Sequence, residues 1–346
     1  MEKPSERAKM KDVAQAAGVS IGTVDRVLHR RGRVARETIR RVEHAAAELR
    51  FSPNPAASQL SRSTFHVFLV VLPMPEQDGG YWQLVVRGVQ RALSELAPHA
   101  VETEFLYYDR FNPQSLLRLI PGLVHQQATG VVLAPAIEEP ARALVEQLPP
   151  KTVVLIDGEL PDDRVLATIA QDSRESGVLA GKLLDLSAGA RRFLSVTVGQ
   201  DDYHLQIRRQ GFESYFASPA VRALQSLEHL DIRDDRAWAD LERWFQREER
   251  PEGIFVTNAA AHRVVERLPR GYRPRIVGYD LISENARCLR DGAVEFILNQ
   301  QPENQGYQGI YTLYRHRVLN EEVESRLRMP IDVIMRENMS YHTIGE

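Results

Sequence analysis

The sequence predicts an α/β protein: a body of two open parallel sheets flanked by helices, with a small all-α unit in front of it. Three observations carry this. From Phe65 onward, short apolar or β-branched runs that end at turn signals, "FHVFLVVLP", "VETEFLYY", "GVVLAP", "TVVLID", "FLSVTVG", "GIFVTN" and "RIVGYD", alternate with helical stretches, the pattern of βαβ units. Before Phe65 the apolar residues recur at helical spacing in three short segments. The charge breaks at the same place, since residues 1–64 hold 13 Lys/Arg against 7 Asp/Glu, a balance of +6, while the remainder holds 31 against 40, a balance of −9. At 346 residues with 43% apolar content, the chain is long enough for two or three domains with real cores.

The first helix is read in "KDVAQAA", with Val13, Ala14 and Ala17 inward and Gly18 supplying the sharp turn that follows. Ser20 then N-caps a second helix, about 21–28, that buries only Val24, Val27 and Leu28. A third helix, about 36–49, carries Ile39, Val42, Ala46 and Leu49 at helical spacing. Three such helices can share one small core. The second is weak by propensity, and its first two turns leave Ile21, Gly22, Asp25 and Arg26 facing outward. That is where a helix-turn-helix recognition helix meets base edges in the major groove.

The chemistry of this surface suits DNA. A basic unit neutralises phosphates and releases condensed counterions. The planar donor fork of Arg26 matches guanine O6 and N7 or spans a phosphate. Ser20 and Thr23 offer hydroxyls and amides at a helix start, a seat for phosphate, while Ile21 can meet a thymine methyl and Gly22 permits close approach. Asp25 either accepts from a cytosine amino group or orients Arg26, and the orienting role is preferred because an unpaired carboxylate is repelled by phosphates. His29 completes the contact set at the helix end.

The stretch "KDVAQAAGVSIGTVDRVLHRRGRVARETIRRVEHAAAELRFSPNPAASQL" resembles the DNA-binding headpiece and hinge of the LacI/GalR family of bacterial transcription regulators. The resemblance rests on Asp12 to Ala14, Ala17 to Ser20, Thr23-Val24, Arg26-Val27 and Pro53-Asn54. Two positions depart from the commonest pattern: Asp25 stands where Ser is usual, and Ala35 stands where a Ser or Thr would cap the third helix, a loss of ~1 kcal/mol. The resemblance divides the chain into a headpiece at 1–50, a hinge at 51–64 and an effector-binding, dimerising body at 65–346. It also implies that the hinge segment, too small to fold alone, orders on DNA. There Leu60 would wedge between base steps of the minor groove, with Ala57 packed close and Asn54 near a phosphate.

The body likewise resembles the periplasmic-binding-protein-like effector domain of this family. That implies a first lobe of about 65–170 and 301–322 and a second of about 171–300 and 323–346. Open α/β sheets bind ligands at the C-terminal ends of their strands, and those ends present Asp157, Asn258 and Asp280, with Tyr81, Trp82 and Arg208 at helix or loop starts. The resemblance transfers ligand contacts to these six and to Gln300 before Pro302. Many members follow the Asn with an Asp that accepts from sugar hydroxyls. Here Ala259 stands in its place, so a standard hexose or pentose pose lacks one acceptor, and a modified sugar, a polyol or another small polar metabolite stays open.

Other classes are excluded or disfavoured. No run approaches the roughly 20 apolar residues of a membrane span, and "MEKPSERAKMKD" is charged where a secretory signal would be apolar, so a cytoplasmic protein is expected. The single cysteine, Cys288, is expected to be inert, and no Cys/His cluster has metal-ligand spacing, so neither metal nor cofactor is expected. Asp172, Glu175, His204 and scattered serines have no spacing that joins them into an acid–base or nucleophilic site. "LPMPEQDGGYW" has the wrong glycine spacing for a phosphate loop or a dinucleotide fingerprint. The expectation is a non-enzymatic regulator that binds a near-palindromic double-stranded operator as a homodimer, under control of a carbohydrate-like effector. The ending "MPIDVIMRENMSYHTIGE", a strand-like run and a polar tail, lacks the leucine heptads that build tetramers in this family.

Overall fold

The computed structural model describes residues 10–28, 34–49, 66–99, 101–126, 128–160, 162–188, 192–199, 202–217, 225–342 and 344. They fall into two compact units, a head containing the first three helices and a body that begins at His66.

In the head, α1 (Met10–Ala17), α2 (Ile21–Leu28) and α3 (Arg36–Glu48) close on Val13, Ala14, Ala17, Val24, Val27, Val42 and Ala45, with Leu28, Ile39 and Ala46 partly buried at the margin. Gly18 adopts φ 63°, and the Val19 amide returns to the Ala14 carbonyl at 3.0 Å, so the left-handed turn ends α1 and starts α2 within three residues. The third helix departs from expectation at its end. It stops at Glu48, which leaves Leu49 as its C-cap and 37% exposed, and Ala45 takes the inward position instead.

Among the described residues the body has twelve strands in two six-stranded sheets. The first has the order β11(Arg326–Met329), β5(Ala167–Gln171), β4(Val153–Ile156), β3(Gly130–Leu133), β1(His66–Pro73), β2(Val101–Tyr108). The second runs β12(Asp332–Ile334), β10(Phe296–Asn299), β9(Arg275–Tyr279), β8(Gly253–Val256), β6(Arg192–Val198), β7(Ser226–Ile232). Helices separate them: α4(Tyr81–Leu96), α5(Pro113–His125), α6(Glu138–Gln147), α7(Ser173–Ala188), α8(Tyr203–Phe216), α9(Asp235–Phe245), α10(Ala261–Val265), α11(Ser283–Arg290) and α12(Pro302–Arg317). Central strands β3, β4 and β8 are buried along their whole length because helices cover both faces, whereas edge strand β2 alternates.

Two details correct the sequence reading. Residues 323–329, assigned to the second lobe, stay with the first: β11 pairs parallel to β5, and the third crossing between lobes comes at Pro330. The second sheet is also not wholly parallel, since the three-residue β12 runs antiparallel to β10 after that crossing. The other two crossings follow β5 and β10.

Helix contact positions the second lobe's central arginine. At Gly177 in α7 an added Cβ would overlap the Arg208 carbonyl oxygen of α8, and at Gly211 it would overlap the Arg174 carbonyl oxygen. The two helices therefore meet backbone to backbone, and α8 carries Arg208 into the interior rather than onto the surface expected of an arginine.

Candidate functional site

Both sheets end their strands toward one cleft, and each wall is built by turns that follow strands. In the first lobe the loop after β1 passes through Asp78 at φ 53° and two left-handed glycines before α4 begins at Tyr81. This brings Trp82 Nε1 to Asp78 Oδ2 at 2.8 Å and buries both aromatic rings, edge to face with centroids 5.0 Å apart. The chain turns again through φ 67° at Asp157 after β4. The Asp157 carboxylate accepts from the Tyr81 hydroxyl at 2.6 Å, and its amide donates to Gln305 Oε1 at 2.7 Å.

In the second lobe Arg208 is 1% exposed, and it donates to the Thr257 carbonyl at 3.0 Å and to Gln300 Oε1 at 2.9 Å. Its guanidinium lies 3.8 Å from the centroid of the Tyr279 ring. Gln300 in turn donates to Asp280 Oδ2 at 3.2 Å, and Asp280 occupies φ 58° after β9. Asn258, after β8, donates to the Val198 carbonyl at 2.6 Å. Asp280 Oδ1, Asn258 Oδ1 and Arg208 Nε are buried with no hydrogen-bond partner. Unpaired buried polar atoms each cost about 1–3 kcal/mol, and three of them stand together here.

The structure thus brings together all seven body residues singled out in the sequence: Tyr81, Trp82, Asp157, Arg208, Asn258, Asp280 and Gln300 line one small cavity. It adds five that sequence reasoning missed as cleft residues, Leu205 and the titratable Asp78, Arg110, Asp202 and His204. The Arg110 guanidinium is ion-paired to Asp78 in its own lobe and to Asp202 of the other. Asp202 in "GQDDYH" and Arg110 in "YYDRFN" also follow strands, so the strand-end rule that found Asp157 reaches them too. Nothing local distinguishes them from surface charges.

Burial sets the electrostatics. It pushes the Asp280 carboxyl up to about 8, an effect opposed by the Arg208 charge and reinforced by Asp157. Asp157 is raised for the same first reason, against the hydrogen bond from Tyr81. Burial works against the charge of Arg110, but Asp78 and Asp202 more than offset it and hold the guanidinium firmly charged. His204 is driven well below the usual histidine range by burial and by Arg208 and Arg110, so it is a neutral ring at physiological pH. Although four aspartates share this cleft, no group of three or more His, Cys, Asp or Glu among the described residues is arranged to hold a metal ion. Asp172 and Glu175 stand elsewhere, at the start of α7, where Asp172 accepts from the Glu175 amide at 3.1 Å.

The outward face of the head is also defined. Ser20 Oγ accepts from the Thr23 amide at 3.2 Å and lies 2.9 Å from the Thr23 hydroxyl, as an N-cap should. Ile21 is 53% exposed, and Arg26 Nε donates to the Gly22 carbonyl at 3.0 Å, which holds the guanidinium against the exposed side of α2. That carbonyl orients Arg26. Asp25 lies in α2, but its side chain, like His29, Asn54, Ala57 and Leu60, is outside the described residues. Ala35 makes no side-chain cap to α3.

Comparison with known proteins agrees with both halves. Residues 9–54 match the family described as "Bacterial regulatory proteins, lacI family", and residues 70–321 match "Periplasmic binding protein domain". The sucrose operon repressor of Lactococcus lactis is 27% identical over 59% of this chain and 61% of its own length. The ribose operon repressor of Escherichia coli K12 is 24% identical over 73% of this chain and 75% of its own. Among solved structures, a protein assigned as a LacI transcriptional regulator from Bacteroides fragilis superposes with a TM-score of 0.71 at 25% identity, covering 81% of this chain and all of that one. The fold is shared with GanP, a glucose-galactose binding protein from Geobacillus stearothermophilus, at a TM-score of 0.64 and 22% identity, over 80% of this chain and 99% of that one. The chain belongs to the LacI family of bacterial regulatory proteins, as a DNA-binding transcription regulator with a periplasmic-binding-protein-like effector body.

Proposed function

We propose that the protein binds a near-palindromic operator as a cytoplasmic homodimer, and that a small carbohydrate-like effector held between the lobes controls this binding. The observation that carries the effector reading is the pair of buried, unpartnered acceptors, Asn258 Oδ1 and Asp280 Oδ1, facing a cavity beside Arg208. Hydroxyl donors of a polyol would satisfy them, and the buried rings of Tyr81 and Trp82 supply the apolar wall such a ligand needs. The sugars in the names of the relatives, sucrose and ribose, support the same class.

In this reading Arg26 reads base edges, Ser20 and Thr23 seat a phosphate, and Ile21 and Gly22 lie against the groove. The roles of Asp25, His29, Asn54, Ala57 and Leu60 are those expected from the sequence. One head makes too few contacts for a unique genomic site, so two are paired across the operator. No catalytic step is assigned: the effector acts only through its difference in affinity for two lobe arrangements.

The test is a site-selection assay on the full-length chain with fragments of the source genome, followed by effector titration against the selected operator. Arg208→Ala should keep operator affinity and lose the effector response. An Arg208→Ala protein that responds like the parent would remove the cleft from this role.

A further inference from the structure

The three crossings between the lobes converge on one side chain. Gln171 ends β5, where the chain first leaves the first lobe, and is 2% exposed. Its Nε2 donates to the Asn299 carbonyl at 3.2 Å, at the end of β10 and the second crossing, and to the Pro330 carbonyl at 2.9 Å, at the third. Both partners only accept, so they fix which end of the amide is the nitrogen. The Oε1 accepts from the Tyr279 hydroxyl. Burial pushes that hydroxyl up to about 12, so it remains a donor at physiological pH.

Other polar contacts between the crossings join them only in pairs. Gln301 Nε2 donates to Asp332 Oδ2 at 2.9 Å, between the second and third, and Arg328, 66% exposed, lies 3.8 Å from Asp172, between the third and first. Gln171 joins all three from the interior. The second crossing also holds Gln301 at φ 55°, a left-handed conformation that costs energy without glycine's freedom and is typical of segments with a mechanical role.

The Tyr279 bond extends this clamp to the cleft. The Arg208 guanidinium lies 3.8 Å from the Tyr279 ring centroid and donates to the side chain of Gln300, the neighbour of Asn299. Arg208, Tyr279, Gln171, Asn299 and Gln300 therefore form a closed ring of contacts. Arg208 and Gln300 line the inner cavity, whereas Gln171 and Tyr279 do not. Displacement of the guanidinium moves groups that hold the crossings, because a close-packed interior transmits strain.

We propose that Gln171 is a positioning residue for the effector response: it pins the three crossings to one another and, through the Tyr279 hydroxyl, makes the angle between the lobes follow what Arg208 holds. This rests on the effector reading of the cleft and adds the residue through which occupancy reaches the hinge.

The test needs no effector. In the full-length chain with Cys288→Ser, spin labels at Glu139→Cys on α6 and Arg236→Cys on α9, both exposed and each at the start of a helix that follows a strand, report the interlobe distance by pulsed electron resonance. Arg208→Lys, which takes the planar fork off the Tyr279 ring, should move that distance by more than about 2 Å. Gln171→Met keeps the length of the side chain but loses its three hydrogen bonds. It should broaden the distance distribution and abolish the further shift caused by Arg208→Lys. Tyr279→Phe keeps the ring and removes only the hydroxyl, so it covers the case of a Gln171→Met chain that does not fold, and it should reduce the Arg208→Lys shift by at least about half. A merely structural Gln171 would lower stability and leave the Arg208→Lys shift as it is in the parent. An equal shift in the parent and both variants overturns the pin, and so does an Arg208→Lys protein that keeps the parent's distance. Neither outcome touches the effector reading, which Arg208→Ala tests separately in the operator assay.

Discussion

Replacing Asp280 by Asn should remove the pH dependence that this one group imposes on the ligand-free protein. Asp280 is 3% exposed, and Gln300, Arg208, Asp157 and the Tyr279 ring surround it. Burial raises its carboxyl from 3.8 in the ordinary state to about 8 in the folded chain. Below pH 4 the folded and unfolded chains both hold the proton, and the stability it allows is fully present. As the pH rises, the unfolded chain releases the proton first, and the folded state is progressively penalised until it too ionises near the top of the window. Each pKa unit is worth about 1.4 kcal/mol, so between pH 5 and 8 the wild type should lose up to about 4 kcal/mol. That is a large share of a domain's usual stability of about 5–15 kcal/mol. It is a ceiling, because rearrangement of Gln300 and Arg208 on ionisation relieves part of the cost. Asn keeps the shape and can accept from Gln300 without ionising. Urea unfolding of both proteins at pH 5, 6.5 and 8, followed by tryptophan fluorescence, is the assay. The variant should be comparable to wild type at pH 5 and more stable at pH 8. Wild-type and variant curves that stay parallel across the window would refute the assignment. An effector that donates to Asp280 favours the ionised form, so its binding should release a proton and tighten as the pH rises toward 8.

Other outcomes follow from the same geometry. Arg110→Met leaves Asp78 and Asp202 without their shared cation at a site where the three side chains are 8%, 17% and 8% exposed, and should lower stability by about 3–5 kcal/mol; an unchanged calorimetric transition of the body would contradict the interlobe pair. Gly177→Ala should separate α7 from α8 and cost about 1–3 kcal/mol or more, with weaker effector binding because Arg208 moves with α8, and equal melting temperatures would count against that contact. Val24→Ala in the head, fully buried, should cost about 1–2 kcal/mol and reduce the folded fraction of heads, read as weaker operator binding with an intact effector response. Arg26→Ala should cost about 1–3 kcal/mol of operator affinity and relax sequence preference, and retention of both would displace Arg26 from the groove.

What could be read from the sequence was whatever depends on neighbours along the chain. The three head helices follow from apolar spacing over a few turns, and Val13, Ala14, Ala17, Val24 and Val42 are inside as their spacing requires. Six of the seven runs are strands whose burial on both faces leaves continuous apolar stretches, and the seventh, "VETEFLYY", is the half-exposed edge strand β2. Strands without that signature escaped the reading: β7 is an edge strand, "SLEHLDI", that alternates polar residues, and β11, "RLRM", carries arginines on exposed positions. Asp157, Asn258 and Asp280 were legible as cleft residues because strand ends in α/β sheets lie at the cleft, whereas Tyr81, Trp82 and Arg208 were read at helix or loop starts and Gln300 came from the family resemblance alone. Tertiary structure alone decided how those ends are joined. Arg110 meets Asp202 across 92 residues, and Asp157 meets Gln305 across 148, and no local pattern encodes such pairs because their energy comes from burial that exists only after both sheets have formed. The place of residues 323–329 was likewise settled by pairing with β5 rather than by their own composition.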